Sequence, residues 1–379
     1  MPGSKYKITE PDTVVVGGGI VGASIAFGLV RSGERVVLLD EGDVAFRASR
    51  GNFALVWVQS KGLALPPYAA WTQQSATEWH DLARTLREET GIDVGHSQPG
   101  GFTLCLSQKE VDARLDKLKR FHNQPEAAHF PYEILDHDEV RKRLPDIGPK
   151  VFGAVYSPLD GHANPLLLMR ALHSYLEAAT GEYRPAHPVD TIDRTGDHFR
   201  IKGSWGELRA GKLVLAAGLG NARLAPMVGL EAPVKPSRGQ LIVTEKTSPF
   251  LHNPMVTIRQ TNEGGVLIGD SKEEAGFENV TGTGVLSIMA ERAMEMFPRL
   301  RHLNVVRTWS ALRVMSADGF PIYDQTQSGP PAFVTSCHSG ITLAGVHAMT
   351  LGPALSRSAR LPEILAPFTP KRFHVPSHQ

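Results

Sequence analysis

Hydrophobic positions cluster most densely near the start of the chain, where "VVVGGGIVGASIAFGLV" at 14–30 runs seventeen residues without a charge. A membrane-spanning helix needs about 17 to 25 such residues. Five glycines (Gly17, Gly18, Gly19, Gly22 and Gly28) oppose that reading, because each costs about 1 kcal/mol against alanine inside a helix. The run divides instead into three parts. "DTVVV" is β-branched and predicts a strand, "GGGIVG" a turn, and "IVGASIAFGLVRSG" a helix apolar on most faces and closed by Gly33. "ERVVLLD" follows as a short apolar strand without alternation, the pattern of a parallel strand covered on both faces. Strand, glycine turn, helix and strand make a βαβ unit.

Two further strand-to-helix entries stand far downstream, "GKLVLAAGLGNARLAPMVGL" at 211–230 and "AFVTSCHSGITLAGVHAMTLGPAL" at 332–355. Other patterns separate them. Residues 71–90 have amphipathic helical spacing and are expected to bridge two units; "GGFTLCLS" at 100–107 opens a second sheet. "QKEVDARLDKLKRFHNQ" predicts a charged, solvent-facing helix, and "LDHDEVRKRLPDIG" a helix ended near Pro145. "GQLIVTE", "MVTIRQT" and "GGVLIGD" read as antiparallel strands, and 279–300 as a helix stopped by Pro298. The proline-rich "LPEILAPFTPKRFHVPSHQ" reads as an extended arm that lies on a partner. The expected class is α/β. A Rossmann-like cofactor domain is assembled from 1–90, 150–233 and 306–379, with an inserted α+β domain of mainly antiparallel sheet at 91–149 and 234–305. A cofactor domain in separated pieces suits FAD better than NAD.

Composition narrows the class without changing it. A chain of 379 residues suggests roughly two compact units. Lys and Arg number 40 against 39 acidic residues, so no nucleic-acid surface or polybasic anchor is expected. Cys105 and Cys337 stand far apart without CxxC spacing, against a disulfide framework or a thiolate metal site. "MPGSKYKITEPD" lacks the apolar stretch and cleavage site of a secretory signal, and a reducing cytoplasm is the expected location.

The glycine turn carries the first chemistry. Gly17-x-Gly19-x-x-Gly22 follows a strand, opens a helix, and precedes by about 20 residues an acid that ends the next strand, Asp40, with Glu41 beside it. Gly17 permits the tight turn, Gly19 lets backbone approach a pyrophosphate, and Gly22 lets helix and strand pack closely. The helix start at Ile20 and Val21 offers unpaired N–H groups to phosphate. Asp40 would accept hydrogen bonds from ribose hydroxyls.

The chain resembles the FAD-dependent amine and amino-acid oxidoreductases that include D-amino-acid oxidase, glycine oxidase and sarcosine oxidase. The resemblance runs over almost the whole chain. It rests on "VVVGGGIVGASIA" (14–26), "ASRGNFAL" (48–55), "YSPLDGHANP" (156–165), "LVLAAGLGNARL" (213–224), "PSRGQLIVTE" (236–245), "VLIGDSKEEAGF" (266–277), "WSALRVMSADGFPIYD" (309–324) and "HSGITLA" (338–344). Within the family it looks most like the flavin-carrying β subunits of bacterial opine and D-hydroxyproline dehydrogenases and the related hydrogen cyanide synthase subunit.

The resemblance implies a glutathione-reductase-like, D-amino-acid-oxidase-type fold and an extended FAD with its adenine ribose on Asp40. It places Ser49, Arg50, Asn52, Phe53 and Ala54 beside the ribityl chain and flavin, and Val189, Ala217 and Gly218 around adenine. His338, Ser339, Gly340, Ile341 and Thr342 would head a helix facing the flavin N1/O2 edge, where helix-end N–H groups favour negative charge. Neither "FRASRGN" nor 309–320, the two attachment regions, contains histidine or cysteine, so FAD is expected to be non-covalent. Arg313 matches the arginine that grips the substrate carboxylate through two parallel hydrogen bonds. The implied reaction is hydride transfer from the C–H beside a neutral amine to flavin N5, giving an imine that water hydrolyses. Arg259 would bind a second carboxylate, such as an opine has, or stand exposed on a sheet edge; His338 would polarise substrate or flavin, or cap a helix. "HNPMVTIRQ" lacks the tyrosine that glycine oxidase-like members place above the flavin, against a simple glycine or D-alanine substrate. Glu273 and Glu274 match a family loop and are equally readable as structural.

The expected enzyme is a dehydrogenase of an amino acid or opine, working as the β subunit of a heteromer with a larger electron-transfer subunit. The rivals are a self-sufficient oxidase releasing hydrogen peroxide and a non-catalytic flavin-binding, electron-passing subunit.

Overall fold

A computed structural model describes residues 8–42, 48–269 and 271–374. The expected βαβ unit is present as strand β1 (Thr13–Val16), helix α1 (Ile20–Arg31) and strand β2 (Val36–Leu39). Every residue of both strands is buried, which is why neither alternates. β1 lies at the centre of a six-stranded sheet. The order is Ile322–Gln325, Ala332–Ser336, Lys212–Leu215, β1, β2, Gly181–Arg184. All pairs are parallel except the outermost one, Ile322–Gln325 on Ala332–Ser336. Val15 pairs with Leu38 on one side and Val214 on the other, so the three strand-to-helix entries meet despite lying some 200 and 320 residues apart in sequence.

The helix foreseen at 71–90 spans Pro66–Thr90, with proline in its first turn and Gly91 ending it in the left-handed conformation. It packs on the C-terminal segment of the parallel-sheet body: Trp79 Nε1 donates to Ile341 O at 2.9 Å, and Ser75 Oγ donates to Thr342 O at 2.6 Å. Gly28 of α1 meets Gly352 so closely that a Cβ there would stand 2.4 Å from Ala348 O. Asp136 closes a capping box on the helix His137–Arg143, which stops before Pro145 as expected.

Antiparallel sheets make up the rest. One has the order Ile258–Gln260, Gly265–Ile268, Val234–Lys246, Val305–Ser316, and another Gly101–Cys105, Gly153–Ser157, Glu133–Asp136. Hydrogen bonding thus ties Gly153–Ser157 and Val305–Ser316 to strands of the inserted region, across the divisions read at 150 and 306. A hairpin sheet, Thr191–Thr195, His198–Gly203 and Gly206–Ala210, was not anticipated. The helix expected at 279–300 is shorter, Thr283–Met296, with Pro298 opening a separate 3₁₀ turn. The tail departs from an extended arm as far as it is described. It winds into turns at Glu363–Phe368 and Pro370–Phe373, buries Leu365 and Phe368 completely, and anchors Arg372 Nε on Asp318 at 2.7 Å; residues 375–379 lie outside the described residues. No helix among the described residues is long and apolar enough to cross a membrane.

Candidate active site

The glycine turn has the geometry its spacing predicts. Gly17 sits at φ +109°, and a Cβ there would stand 2.4 Å from Ala216 O. A Cβ on Gly22 would stand 1.9 Å from Gly17 O, so the turn and α1 fit only because that atom is missing. Gly19 caps α1 without a side-chain acceptor of its own, and the Ile20 N–H donates to Ser49 Oγ at 3.0 Å. A cleft of about 580 Å³ opens here, at the carboxyl ends of the parallel strands, where open α/β sheets take their ligands.

Along one stretch the cleft is lined by Gly17, Gly19, Ile20, Val21, Asp40 and Glu41. Asp40 Oδ2 accepts from Gly18 N–H at 2.7 Å and Oδ1 from Gly42 N–H at 3.0 Å. Each carboxylate oxygen has a second lone pair, so capacity for a ribose remains. Val189, Ala217 and Gly218 line the cleft as well, and so do Ser49, Arg50 and Asn52. His338, Gly340 and Ile341 also line it, Gly340 lying close to Val21.

Five expected cofactor residues stand behind this lining. Gly22 supports the turn. The Phe53 ring packs over Gly269, and buried Ala54, at φ +71°, donates its N–H to Asn52 Oδ1 at 2.6 Å. Thr342 Oγ1 accepts from Trp57 N–H at 3.2 Å, and the Ser339 hydroxyl joins Lys61 and Tyr68. Glu273 is held by Arg238 at 2.8 Å and by Gln240 and Ser271, clamping its loop to the strand Val234–Lys246.

Among the residues that escaped the sequence reading are two at the cleft, one lining it and one behind it. Tyr183 lines the cleft, backed by His173 at 3.9 Å between ring centroids. His173 Nε2 lies 2.9 Å from Gly18 O; a carbonyl only accepts, so that nitrogen carries the proton. Cys337, which the family resemblance places near the cofactor, does line the cleft, its thiol pushed up to about 12 by desolvation. No local pattern marks Tyr183 or His173: the first gains its place from the pairing of Gly181–Arg184 with β2, the second from the helix Pro165–Ala178, which brings it to Gly18 O.

Arg313 stands opposite Ser237 on the strand Val305–Ser316, with its guanidinium over Gly239 and Nη1 donating to Arg238 O at 3.2 Å. Its neighbours Leu312 and Val314 line the cleft; Arg313 itself faces the other way along the pleat. Its charge still reaches His338, whose pKa falls well below the ordinary value through burial first and then through Lys61, Arg313 and Lys272. Arg259 departs from the exposed-edge alternative. It is 5% exposed, donates Nε to Phe53 O at 2.5 Å, lies 5.9 Å from the Phe53 ring centroid, and is pushed down to about 10 by burial.

A glycine turn with bare backbone N–H groups at a helix start, an acidic strand end, and a cleft lined in part by an antiparallel sheet are the features of a dinucleotide-dependent flavoenzyme. The chain belongs to the FAD dependent oxidoreductase family, whose pattern matches residues 12–357. It is 45% identical to an opine oxidase subunit of Agrobacterium tumefaciens (strain Ach5) over 97% of this chain and 98% of that protein. The corresponding opine oxidase subunit of Rhizobium meliloti is 43% identical over 96% of this chain and 98% of its own length. Among solved structures, glycine oxidase from Geobacillus kaustophilus superimposes with a TM-score of 0.86 at 25% identity, covering 97% of this chain and 100% of that one. The protein is therefore an oxidoreductase with FAD as its cofactor, held non-covalently; the partly buried Cys337 thiol, pushed up to about 12 by desolvation, is poorly suited to supply a thiolate for a bond to it.

Proposed function

We propose that this enzyme oxidises the C–N bond of an amino acid or secondary amine acid, of the opine or D-hydroxyproline kind. In this reading it works in the cytoplasm as the flavin-carrying subunit of a heteromeric dehydrogenase. The observation that supports it is the likeness to two opine oxidase subunits over almost the whole chain, with half-buried Arg313 carried on the strand whose Leu312 and Val314 line the cleft. The flavin, when bound, accepts the hydride; the chain supplies binding and orientation. Arg313 grips the substrate carboxylate in a bidentate pair and so fixes which C–H faces the cofactor. Arg50, Asn52, Gly340 and Ile341 line the same cleft and would enclose the reacting end of the cofactor. The imine product is hydrolysed by water. The likeness to the two opine oxidase subunits favours a substrate with more than one carboxylate and a protein partner.

The test is anaerobic bleaching of the bound flavin by a panel of octopine, nopaline, D-hydroxyproline, sarcosine and D-alanine, beside a search for co-purifying subunits. Bleaching by an opine or D-hydroxyproline is the expected result, and bleaching by none of the panel rejects the reading. The structural likeness to glycine oxidase supports one rival, a self-sufficient oxidase, which predicts stoichiometric peroxide from this chain alone.

A further inference from the structure

Beside the cleft, three side chains from two distant stretches meet on one hydroxyl. Ser339 Oγ lies 2.9 Å from Lys61 Nζ, 2.9 Å from Tyr68 OH and 3.0 Å from His338 Nδ1. A hydroxyl has one proton to give and two lone pairs to receive. Lys61, an ammonium, can only donate and fills the first lone pair. Tyr68 is 3% exposed and has no other hydrogen-bond partner among the described residues. Were its oxygen to accept from Ser339, its own proton would be buried without an acceptor, at a cost of about 1–3 kcal/mol. Tyr68 therefore donates and fills the second lone pair. The Ser339 proton is left for His338 Nδ1, which must accept it. A neutral imidazole that accepts at Nδ1 carries its proton at Nε2. An imidazolium would point an N–H at an oxygen with no lone pair left.

The support behind Lys61 is rigid. Lys61 follows Ser60, which holds a left-handed φ of +70°. Asp160, fully buried, accepts from Val58 N–H at 2.5 Å and from Gln59 Nε2 at 2.7 Å. Arg114 donates to Gln59 Oε1 at 2.9 Å and to the Ser60 hydroxyl. The strained turn is thus over-determined by its surroundings, as a functional constraint requires. Nε2 of His338 has no hydrogen-bond partner among the described residues, and its ring lines the cleft.

We propose that Lys61 and Tyr68 are positioning residues which, through the Ser339 hydroxyl, lock His338 as the Nε2–H tautomer. The ring then offers the cleft a hydrogen-bond donor, suited to negative charge that develops on bound cofactor or substrate, and is closed to service as a general base. The role toward FAD rests on the proposed function; the tautomer rests on the chain alone.

The experiment uses protein labelled with ¹⁵N-histidine, the His338 signals being identified by their loss in His338→Gln, together with sulfite titration of the FAD-loaded enzyme. Sulfite affinity reports how well the site stabilises negative charge on the flavin. The wild type is expected to show a single neutral Nε2–H ring at 338 from about pH 6 to about 9. In Ser339→Ala that ring should lose its single tautomer and sulfite should bind about tenfold more weakly. Lys61→Met should act in the same direction, and Ser339→Thr, which keeps a hydroxyl, should restore both readings. A wild-type ring protonated at Nδ1 overturns the proposal. So does a Ser339→Ala protein whose melting temperature falls while tautomer and sulfite affinity stay unchanged. Should the chain retain no flavin, the proposed function fails while the tautomer is still read in the apoprotein.

Discussion

Arg313 and Arg259 present the same guanidinium to opposite surroundings, and substitutions should separate them. Arg313 is half-buried beside the cleft. Arg313→Lys keeps the charge but loses the planar fork, and two charge-assisted hydrogen bonds of about 1.5–3 kcal/mol each are at stake. Rapid anaerobic mixing should show kcat/KM reduced by roughly 10²- to 10⁴-fold in Arg313→Ala, with Arg313→Lys between it and the wild type. Unchanged turnover in Arg313→Ala would favour the non-catalytic reading. Arg259, bound to Phe53 O, ties the inserted sheet to the loop beside the cofactor. Arg259→Met leaves that carbonyl unsatisfied, at about 1–3 kcal/mol of stability in urea unfolding. If Arg259 also holds a second carboxylate, the same variant raises KM for an opine far more than for sarcosine. Equal KM changes would leave it with the structural role alone.

Elements carried by local pattern matched closely; those needing partners did not. The βαβ unit was legible because glycine spacing and unbroken apolar strands are constraints within about 30 residues. Gly22→Ala tests this directly, since its new Cβ would fall 1.9 Å from Gly17 O. The variant should purify with little FAD and lose roughly 1–3 kcal/mol or more of stability, read by flavin absorbance and melting temperature. The hairpins at 191–210 were readable in principle. "TIDRTGDHFRIKG" alternates around Gly196 at φ +62°, and Gly206 at φ +116° turns the next hairpin. The strand Val305–Ser316 was different. Its first residues pair with the end of Val234–Lys246 and its last with the beginning, a register that no stretch of either strand displays alone.

For the whole molecule, buried histidines set the response to acid. Burial pushes His96 and His162 down to about 4 and His347 to about 3, from an ordinary 6.5. The unfolded chain therefore binds more protons than the native one below 6.5. These groups contribute stability that is present above 6.5 and is lost as pH falls toward 4. Asp160 has the opposite sign: pushed up to about 7, it contributes stability below its ordinary 3.8 that is lost as pH rises through 7. With His122, His173 and His338 also lowered, six histidines against two raised carboxyls, Asp160 and Asp324, should leave the urea midpoint lower at about pH 5 than at about pH 7. His162→Gln should flatten that difference, and an equal slope in the variant would remove His162 from the account.

What the sequence determined by itself was the cofactor turn, the acid at the end of β2, the α/β class and the residue types able to hold a carboxylate. Each is a short-range matter of backbone freedom, periodicity or side-chain chemistry. Tertiary structure alone decided that Arg259 is buried, that Tyr183 and His173 back the cleft, and that Lys61 reaches a hydroxyl 278 positions away. Those outcomes depend on which strands pair and which faces meet, and that is settled by the packing of the whole chain.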